Sequence, residues 1–329
     1  MKTLSKQDFN ALELLIKSKQ DRTKRIVSKF LKKYYPNMVE TKEYIFAEGD
    51  IPIALVAHMD TVFENDIGDK ELFYDKEKNV TFSPQGAGFD DKAGIMAIIQ
   101  IVRSGLRPHI IFTTDEECGA FGAEALAKLS CPFSDLRYII QLDRRGSDDC
   151  VFYDCNNVQF ESYVESFGFI WNYGSFSDIS VLCPAWGVAG VNLSVGYRDE
   201  HTRGEVLFVG QFLNTVSKVK KMLTAEMPQQ FKYIPSVYGK YSLFLDRWYG
   251  KTGGQDGVIK CDSCKKYYIE DDMFPVVGLD KKTKFYCYDC IDKAAWCRLC
   301  GEAYEKFTAD APDEGVCPNC VGEVSECSK

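Results

Sequence analysis

Histidines and acidic residues follow several apolar runs of this sequence, at the points where the runs end. They come after residues 51–57, 110–114 and 138–142, and they also occupy a glycine-rich turn over 86–94 and the segment 197–202. The residues concerned are His58, Asp60, Asp90, Asp91, Asp115, Glu116, Glu117, Asp143 and His201. Carboxylates gathered in one place would repel each other and raise each other's pKa unless cations neutralise them. Imidazole and carboxylate ligands together suit zinc, or cobalt and manganese, so the pattern indicates metal-dependent chemistry.

The elements that would position these residues alternate between strand and helix through residues 1 to 225. Apolar runs predict strands over 51–57, 109–114, 137–142 and 188–193. Apolar residues at helical spacing predict helices over 5–16, 23–35, 92–103, 120–129 and 205–223. Strands separated by helices of this length predict an α/β fold, with a mainly parallel central sheet covered by helices on both faces. Because ligands bind beyond the carboxyl ends of such strands, we expect the histidines and carboxylates to meet there.

The order of these motifs resembles that of the dinuclear-zinc exopeptidase clan, which contains aminopeptidases, carboxypeptidases, aminoacylases and deacetylases. The motifs are His-x-Asp at 58–60, Gly-x-Asp-Asp-Lys-x-Gly at 88–94, Asp-Glu-Glu-x-Gly-x-x-Gly at 115–122, Leu-Asp at 142–143 and His-Thr at 201–202. The resemblance covers residues from about 1 to 225 and includes both the motifs and their order. It implies a zinc exopeptidase fold and hydrolysis of amide bonds.

The resemblance also implies the metal ligands. Asp90 would bridge two catalytic zinc ions, which cobalt or manganese could replace. His58 and Asp143 would complete the site of one ion, and Glu117 and His201 the site of the other.

Three further acidic residues have implied roles. Asp60 would hold the His58 ring by its second nitrogen. Glu116 would be the general base, and Asp91 would assist through the Asp-Asp peptide of its turn. The remaining histidine, His109, stands at the start of its strand, so we expect it to be structural.

The interval between Asp143 and His201 leaves no room for the lid domain that many clan members insert there. Lid residues that bind substrate carboxylates in carboxypeptidases and deacylases have no counterpart here, which favours an aminopeptidase acting on peptides. Two alternatives stay open: a deacylase or amidohydrolase of N-acyl amino acids or small amides on the same site, and a non-catalytic partner-binding protein. The presence of Glu116 and of all five ligand positions speaks against the second alternative.

Eight of the 14 cysteines form four Cys-x-x-Cys pairs after residue 260. The pairs are Cys261/Cys264, Cys287/Cys290, Cys297/Cys300 and Cys317/Cys320. Because no secretory signal is evident, the pairs indicate zinc ligands rather than disulfides or iron ligands. We expect a small C-terminal module over 257–329, similar to tandem zinc ribbons or LIM-like modules, with two structural zinc ions. An aromatic-rich linker over 226–256 would join it to the peptidase domain over 1–225.

Two pairings of these cysteines are open. Sequential pairing joins the first pair with the second and the third with the fourth, whereas cross-brace pairing joins first with third and second with fourth. Sequential pairing is favoured because each half can then bind metal and fold locally.

Composition excludes some function classes. The net charge is −8, and the segment 257–329 has 10 Lys and Arg against 14 Asp and Glu, so nucleic-acid binding is not expected. No apolar run approaches the roughly 20 residues that span a bilayer, and we expect a cytoplasmic protein without membrane contact. The C-terminal module would instead serve self-assembly into a homo-oligomer or contact with a protein partner.

Overall fold

The computed structural model describes residues 3–63, 70–174, 176–226, 230–235, 258–269, 273–291, 293–297, 303–306 and 318. The chain divides into two compact units, Met1–Val237 and Tyr238–Lys329. The division falls inside the predicted linker over 226–256, most of which lies outside the described residues. The predicted boundaries 1–225, 226–256 and 257–329 therefore stay predictions.

Twelve strands are described in the first unit, and they form two sheets. The strands are β1 (Met38–Glu40), β2 (Tyr44–Ala47), β3 (Ile51–His58), β4 (Phe73–Asp75), β5 (Val80–Phe82), β6 (Pro108–Thr113), β7 (Tyr138–Arg144), β8 (Asp149–Val151), β9 (Ile170–Trp171), β10 (Gly190–Ser194), β11 (Tyr197–Arg198) and β12 (Val206–Phe208). The described helices of this unit are α1 (Lys6–Ile16), α2 (Gln20–Leu31), α3 (Phe89–Arg103), α4 (Phe121–Ala127), α5 (Val158–Glu165), α6 (Asp178–Trp186) and α7 (Val209–Thr224).

The larger sheet has eight strands in the order β1-β2-β6-β3-β7-β10-β8-β9. Its centre is parallel, since β3 pairs in parallel with β6 and β7, and β7 pairs in parallel with β10. Antiparallel pairs lie toward the edges, between β2 and β6 and between β10 and β8. The predicted α/β class with a mainly parallel sheet is confirmed.

Alternate residues of β3 belong to different layers of the core, as expected for a strand buried on both faces. Leu55 belongs to the layer that holds residues of α1, α3 and α7. Val56 belongs to the layer that holds residues of α4 and α6. Helices therefore cover both faces of the sheet, and the carboxyl ends of β3, β6 and β7 meet at one edge.

A second, four-stranded sheet with the order β11-β12-β5-β4 was not expected from the sequence. The helix predicted over 205–223 is wrong at its start, because Val206–Phe208 form strand β12 and pair with β5. Cross-strand hydrogen bonds override the local helical pattern at these positions. The helix that follows, α7, begins at Val209.

Helix α2 also differs from its prediction over 23–35. It begins at Gln20 and ends at Leu31. The N–H groups of Tyr34 and Tyr35 both turn back to the Leu31 carbonyl, and Pro36 follows. A residue that precedes proline is disfavoured in helical conformation, which accounts for Tyr35 lying outside the helix.

Part of the predicted linker packs on the first unit. Phe231 is buried, and its ring lies 5.0 Å from that of Phe160. The N–H of Phe231 donates to the Arg137 carbonyl, and Lys232 forms a β-bridge with Val188. Residues 230–235 are thus fixed by backbone hydrogen bonds.

The second unit, described by itself, contains two small sheets. One pairs β13 (Val258–Lys260) with β14 (Tyr267–Ile269), and the other has the order β16-β15-β18-β17. The strands of the latter are β15 (Met273–Val277), β16 (Thr283–Cys287), β17 (Ala294–Trp296) and β18 (Ala303–Glu305), and the short helix α8 spans Tyr288–Ile291. Across the described parts of both units, none of the helices combines the length and apolar character that crossing a membrane requires.

Candidate functional site

The predicted ligands come from separate elements that meet at the carboxyl edge of the central strands. His58 is the last residue of β3, and Asp143 lies near the end of β7. Asp90 occupies the turn at the start of α3, Glu117 follows β6, and His201 follows β11. The topology thus brings together residues that are up to 143 positions apart in the sequence.

These five side chains form two groups of potential metal ligands that share Asp90. In the first group, Nε2 of His58 lies 2.9 Å from Oδ1 of Asp90 and 3.5 Å from Oδ1 of Asp143. In the second group, Nε2 of His201 lies 3.3 Å from Oδ2 of Asp90 and 3.0 Å from Oε2 of Glu117. The ligand atoms of each group lie within 4.8 Å of one another. Asp90 offers one oxygen to each group, which is the arrangement that a bridging carboxylate requires.

Asp60 connects the first group to the loop after β6. Its Oδ1 lies 3.2 Å from Nδ1 of His58, the nitrogen that faces away from the ligand group. Its two oxygens accept hydrogen bonds from the N–H groups of Glu116 and Glu117, at 3.1 and 3.0 Å. Burial raises the pKa of Asp60, but His58 and the N–H groups of Glu116 and Glu117 together outweigh burial, and the pKa lies below its ordinary value. Asp60 therefore fixes both the imidazole and the loop that carries the two glutamates.

Burial and neighbouring charges shift the pKa values of the groups at this site. Burial raises the pKa of Asp143 to about 7, and the charge of Asp90 adds to this effect. Burial raises the pKa of Glu116 to about 9, with a further contribution from Asp143. The hydrogen bond to Asp90 raises the pKa of His201 to about 11, with Glu117 contributing next. Without cations, protons on these groups would offset part of the negative charge of the cluster.

The residues present fit a pair of divalent cations. Oε1 of Glu117 is buried and has no hydrogen-bond partner among the described residues. A buried carboxylate oxygen without a partner is costly, and a cation would satisfy it. Imidazole nitrogen and carboxylate oxygen are the ligand atoms that zinc takes in catalytic sites.

The turn that carries Asp90 is held from two sides. Gly88 has a φ of +71°, a conformation that favours glycine, and the Asp90–Asp91 peptide bond is cis. Glu205 accepts the N–H groups of Gly88 and Asp90, at 2.5 and 3.0 Å. The carboxylate of Asp91 accepts the N–H of His58 at 3.2 Å and so connects the turn to the end of β3.

Helix α3 lies directly against β7 at Gly94. A Cβ atom at this position would lie 2.1 Å from the Leu142 carbonyl oxygen, a distance that no real contact allows. The helix that carries Asp90 and the strand that carries Asp143 therefore approach more closely than any side chain would permit.

Several residues of the site were not predicted from the sequence. Ser177 donates to Oδ2 of Asp143 at 2.9 Å, and Asn192 accepts the Asp143 N–H at 3.0 Å. Glu205 is buried beneath the Asp90 turn and directly precedes strand β12, whereas the sequence predicts a helix there. These residues lie far from the motifs or inside predicted elements. For Glu205, the signal in the sequence is an acidic residue four positions after His201.

A cleft of about 390 Å³ opens over the two groups. Besides the ligands and Glu116, its wall includes two arginines, Arg144 and Arg145, and an aromatic side, Tyr153, Tyr173 and Phe176. Between Asp143 and His201 the described residues form strands and helices of the central layers, and no additional lid domain is present among them.

His109 lies apart from the cleft. Its Nδ1 accepts the Gly49 N–H at 3.1 Å, and its Nε2 lies 3.1 Å from Oδ1 of Asp135. The imidazole stacks on Phe133 with ring centroids 4.2 Å apart. The hydrogen bonds and the stacking account for this buried histidine as a structural residue.

Comparison with known proteins gives a fold. No protein-family model and no curated protein matches the chain. Solved structures match it. Aminopeptidase PepT from Bacillus cereus is 15% identical, with 66% of this chain and 97% of that chain covered and a TM-score of 0.51. A tripeptidase from Staphylococcus aureus is 12% identical, with coverages of 68% and 98% and a TM-score of 0.52. An aminopeptidase from the archaeon Desulfurococcus kamchatkensis is 14% identical, with coverages of 68% and 96% and a TM-score of 0.53.

The fold is that of these aminopeptidases. The resemblance to the dinuclear-zinc exopeptidase clan, predicted from the sequence motifs, is thereby confirmed for the fold. The aminopeptidase fold accounts for about two thirds of the chain, and the neighbours are matched over nearly their whole length.

Beyond the part with the aminopeptidase fold, the second unit contains a group of four cysteines. The sulfur atoms of Cys261, Cys264, Cys287 and Cys290 lie within 4.8 Å of one another. This is the grouping that sequential pairing predicts. Burial raises the pKa of Cys261, but backbone N–H groups, that of Cys264 first, outweigh burial and lower the pKa to about 6. The site thus favours the thiolate that binds metal.

The other two pairs are described only in part. Cys297 is buried in the described part of the chain. Cys300, Cys317 and Cys320 lie outside the described residues, so their predicted zinc site stays a prediction.

Proposed function

We propose that the first unit is a metal-dependent aminopeptidase that hydrolyses peptides with two zinc ions, which cobalt or manganese can replace. The observation that carries the proposal is the sharing of Asp90 by two ligand groups, with Glu116 lining the same cleft. His58 and Asp143 would hold one ion, Glu117 and His201 the other, and Asp90 both. Zinc bound there supplies a Lewis acid for the scissile carbonyl and lowers the pKa of water.

Glu116 moves the proton in this proposal. Its carboxylate takes a proton from the attacking water and passes it to the nitrogen of the leaving group, which balances the cleavage of the amide bond. Glu116 must be ionised for this purpose. Burial first, and then the carboxylates of Asp143 and Asp90, raise its pKa, and positive charge at the ligand groups would oppose that rise. Asp60 holds His58 and the Glu116 backbone in place through the hydrogen bonds described above.

The second unit has a structural role in this proposal. Cys261, Cys264, Cys287 and Cys290 would hold one zinc ion, and the remaining two pairs a second. A site closed by four thiolates has no open position for substrate, so the module would contribute to self-assembly, protein contact or substrate restriction. Cytoplasmic location stays a prediction.

Hydrolysis assays with matched substrates test the function. The full chain is loaded with zinc, cobalt or manganese and given a tripeptide with a free α-amine, the same tripeptide with an acetylated amine, and N-acetyl amino acids. We expect cleavage of the free tripeptide alone, and loss of cleavage in Glu116→Gln. Cleavage of the N-acetyl amino acids instead would assign the site to a deacylase, and no cleavage of any substrate would contradict the enzyme assignment.

A further inference from the structure

Arg144 is a cation in the wall of the cleft to which none of the roles above applies. It follows Asp143 directly and ends strand β7. Its Nε is buried and has no hydrogen-bond partner in the described part of the chain. No carboxylate among the described residues forms an ion pair with its guanidinium. A buried guanidinium nitrogen without a partner is costly, and this cost points to a group that arrives from outside.

The neighbouring Arg145 also lines the cleft, but its guanidinium has a carboxylate partner. Its Nη1 donates to Oε1 of Glu200 at 2.8 Å, and its side chain is 63% exposed. Its charge is therefore paired and hydrated. The two consecutive arginines therefore differ in whether a carboxylate already pairs with the guanidinium, which decides whether it is available to bind an anion.

A register shift explains why Arg144 faces the cleft. Asn192 of β10 pairs with Gln141 of β7, whereas Ser194 pairs with Arg144, so β7 has one extra residue at this point. In a regular strand Asp143 and Arg144 would project to opposite faces. The extra residue is a bulge, which re-aims side chains, and both residues line the cleft.

Gly174 lies beside the guanidinium, at a distance that leaves room for no more than an ordinary van der Waals contact. A Cβ atom at this position would lie 3.4 Å from Nη1 of Arg144 and 3.0 Å from the Val151 side chain. The same wall holds Tyr153. Burial raises the pKa of its phenol, and the positive charge of Arg144 opposes the rise, as expected for a guanidinium nearby.

We propose that Arg144 binds a carboxylate of the substrate and thereby makes the cleft selective for peptides with an acidic group beside the metal ligands. No carboxylate among the described residues of the cleft wall is assigned to Arg144: those of the ligand groups are assigned to cations, Glu116 to proton transfer and Glu200 to Arg145. Guanidinium binds carboxylate with two parallel hydrogen bonds, which a neutral amide cannot reproduce. The inference rests on the proposed function, because it takes the bound peptide to be a substrate. Binding of the peptide can nevertheless be measured without turnover.

The carboxylate has two sources, the side chain of an N-terminal Glu or Asp and the free C-terminus of a short peptide. Two matched pairs of peptides separate them. Glu-Ala-Ala-amide is compared with Gln-Ala-Ala-amide, and Ala-Ala-Ala is compared with its C-terminal amide. Binding is measured by calorimetry on the full chain, loaded with zinc, in a Glu116→Gln background that prevents turnover.

We expect the acid of one pair to bind about 10- to 100-fold more tightly than its amide, the range for a hydrogen-bonded charge. Arg144→Gln should abolish the preference, Arg144→Lys should restore part of it, and the matched control Arg145→Gln should keep it. Circular dichroism and zinc content of each variant show whether it is folded and loaded. Equal binding of acid and amide in both pairs, or a preference that survives Arg144→Gln, would overturn the inference.

The same measurements distinguish this inference from the proposed function. A preference for acids that depends on Arg144, in a chain that hydrolyses no peptide, would retain the carboxylate site and contradict the peptidase. Hydrolysis of peptides with no preference for acids would retain the peptidase and contradict the carboxylate site.

Discussion

Oε1 of Glu205 accepts a hydrogen bond from the backbone N–H of Asp90 at 3.0 Å. A fully buried carboxylate thus holds the backbone of the residue shared by both ligand groups. Burial raises the pKa of Glu205 to about 7, and the N–H of Asp90 acts in the opposite direction. The geometry makes Glu205 a positioning residue for the centre of the site.

Replacing Glu205 should therefore weaken metal binding without removing a ligand. Groups that orient metal ligands typically contribute roughly 10- to 100-fold to affinity, and we expect a loss of that size in Glu205→Gln. Competition with a chromophoric chelator measures it. Glu40→Gln, at an edge strand and paired with Ser28, is the control and should bind metal normally. Unchanged affinity in Glu205→Gln would show that the turn holds its shape without this carboxylate.

Substitutions at Glu116 and Asp90 should separate proton transfer from metal binding. Glu116→Gln keeps the size of the side chain but cannot accept a proton, so hydrolysis should fall by roughly 10²–10⁴ while metal stays bound. Asp90→Asn should lose both, because a shared ligand needs its charge. Steady-state kinetics and elemental analysis of the same samples provide the two readouts. Near-normal turnover in Glu116→Gln would assign the base to another residue.

Metal content should divide between the two units. We expect about four divalent ions per chain, two in each unit. Cys261→Ser should lose one of them, and the control Cys131→Ser, outside the Cys-x-x-Cys pairs, should lose none. Chelators should remove the ions of the open cleft first. Elemental analysis that finds the same content in Cys261→Ser and wild type would contradict the four-cysteine site.

His109 should titrate below an ordinary histidine. Burial lowers its pKa, the charge of Asp135 opposes the shift, and protonation of Nδ1 would set a proton against the Gly49 N–H. Since the folded pKa lies below the unfolded value of about 6.5, this group's contribution to stability is complete above pH 6.5 and is lost as pH falls through the folded pKa. Two-dimensional NMR of the imidazole nitrogens, with His109→Gln for assignment, checks the shift. A pKa at or above 6.5 would contradict it.

The sequence predicts that the candidate ligands meet because several of them follow long apolar runs, although Asp90 and His201 do not. His58 and Asp143 end buried strands, and the alternation of strands and helices dictates that such ends meet. The second sheet was missed since its strands have two or three residues and no periodic pattern. The helix predicted over 205–223 is wrong around Glu205 because the pairing of Val206–Phe208 with β5 depends on residues more than 100 positions away.

Arg144 shows a different limit. Alternation along a strand places it on the face opposite Asp143, and the shift that reverses this arises from pairing with β10. A one-residue irregularity between two strands has no signature in the local sequence. The side chains that line the cleft were thus predictable where geometry is regular, and unpredictable where it is not.

The close approach of Gly94 to Leu142 sets the distance between two of the candidate metal ligands. The helix and the strand on either side of it carry Asp90 and Asp143, and their separation is set by an absent methyl group. Any other residue at position 94 would push the helix away from the strand and so widen the distance between Asp90 and Asp143. The spacing of these two candidate ligands is therefore fixed in part at a position with no functional group, which a search by side-chain chemistry would pass over.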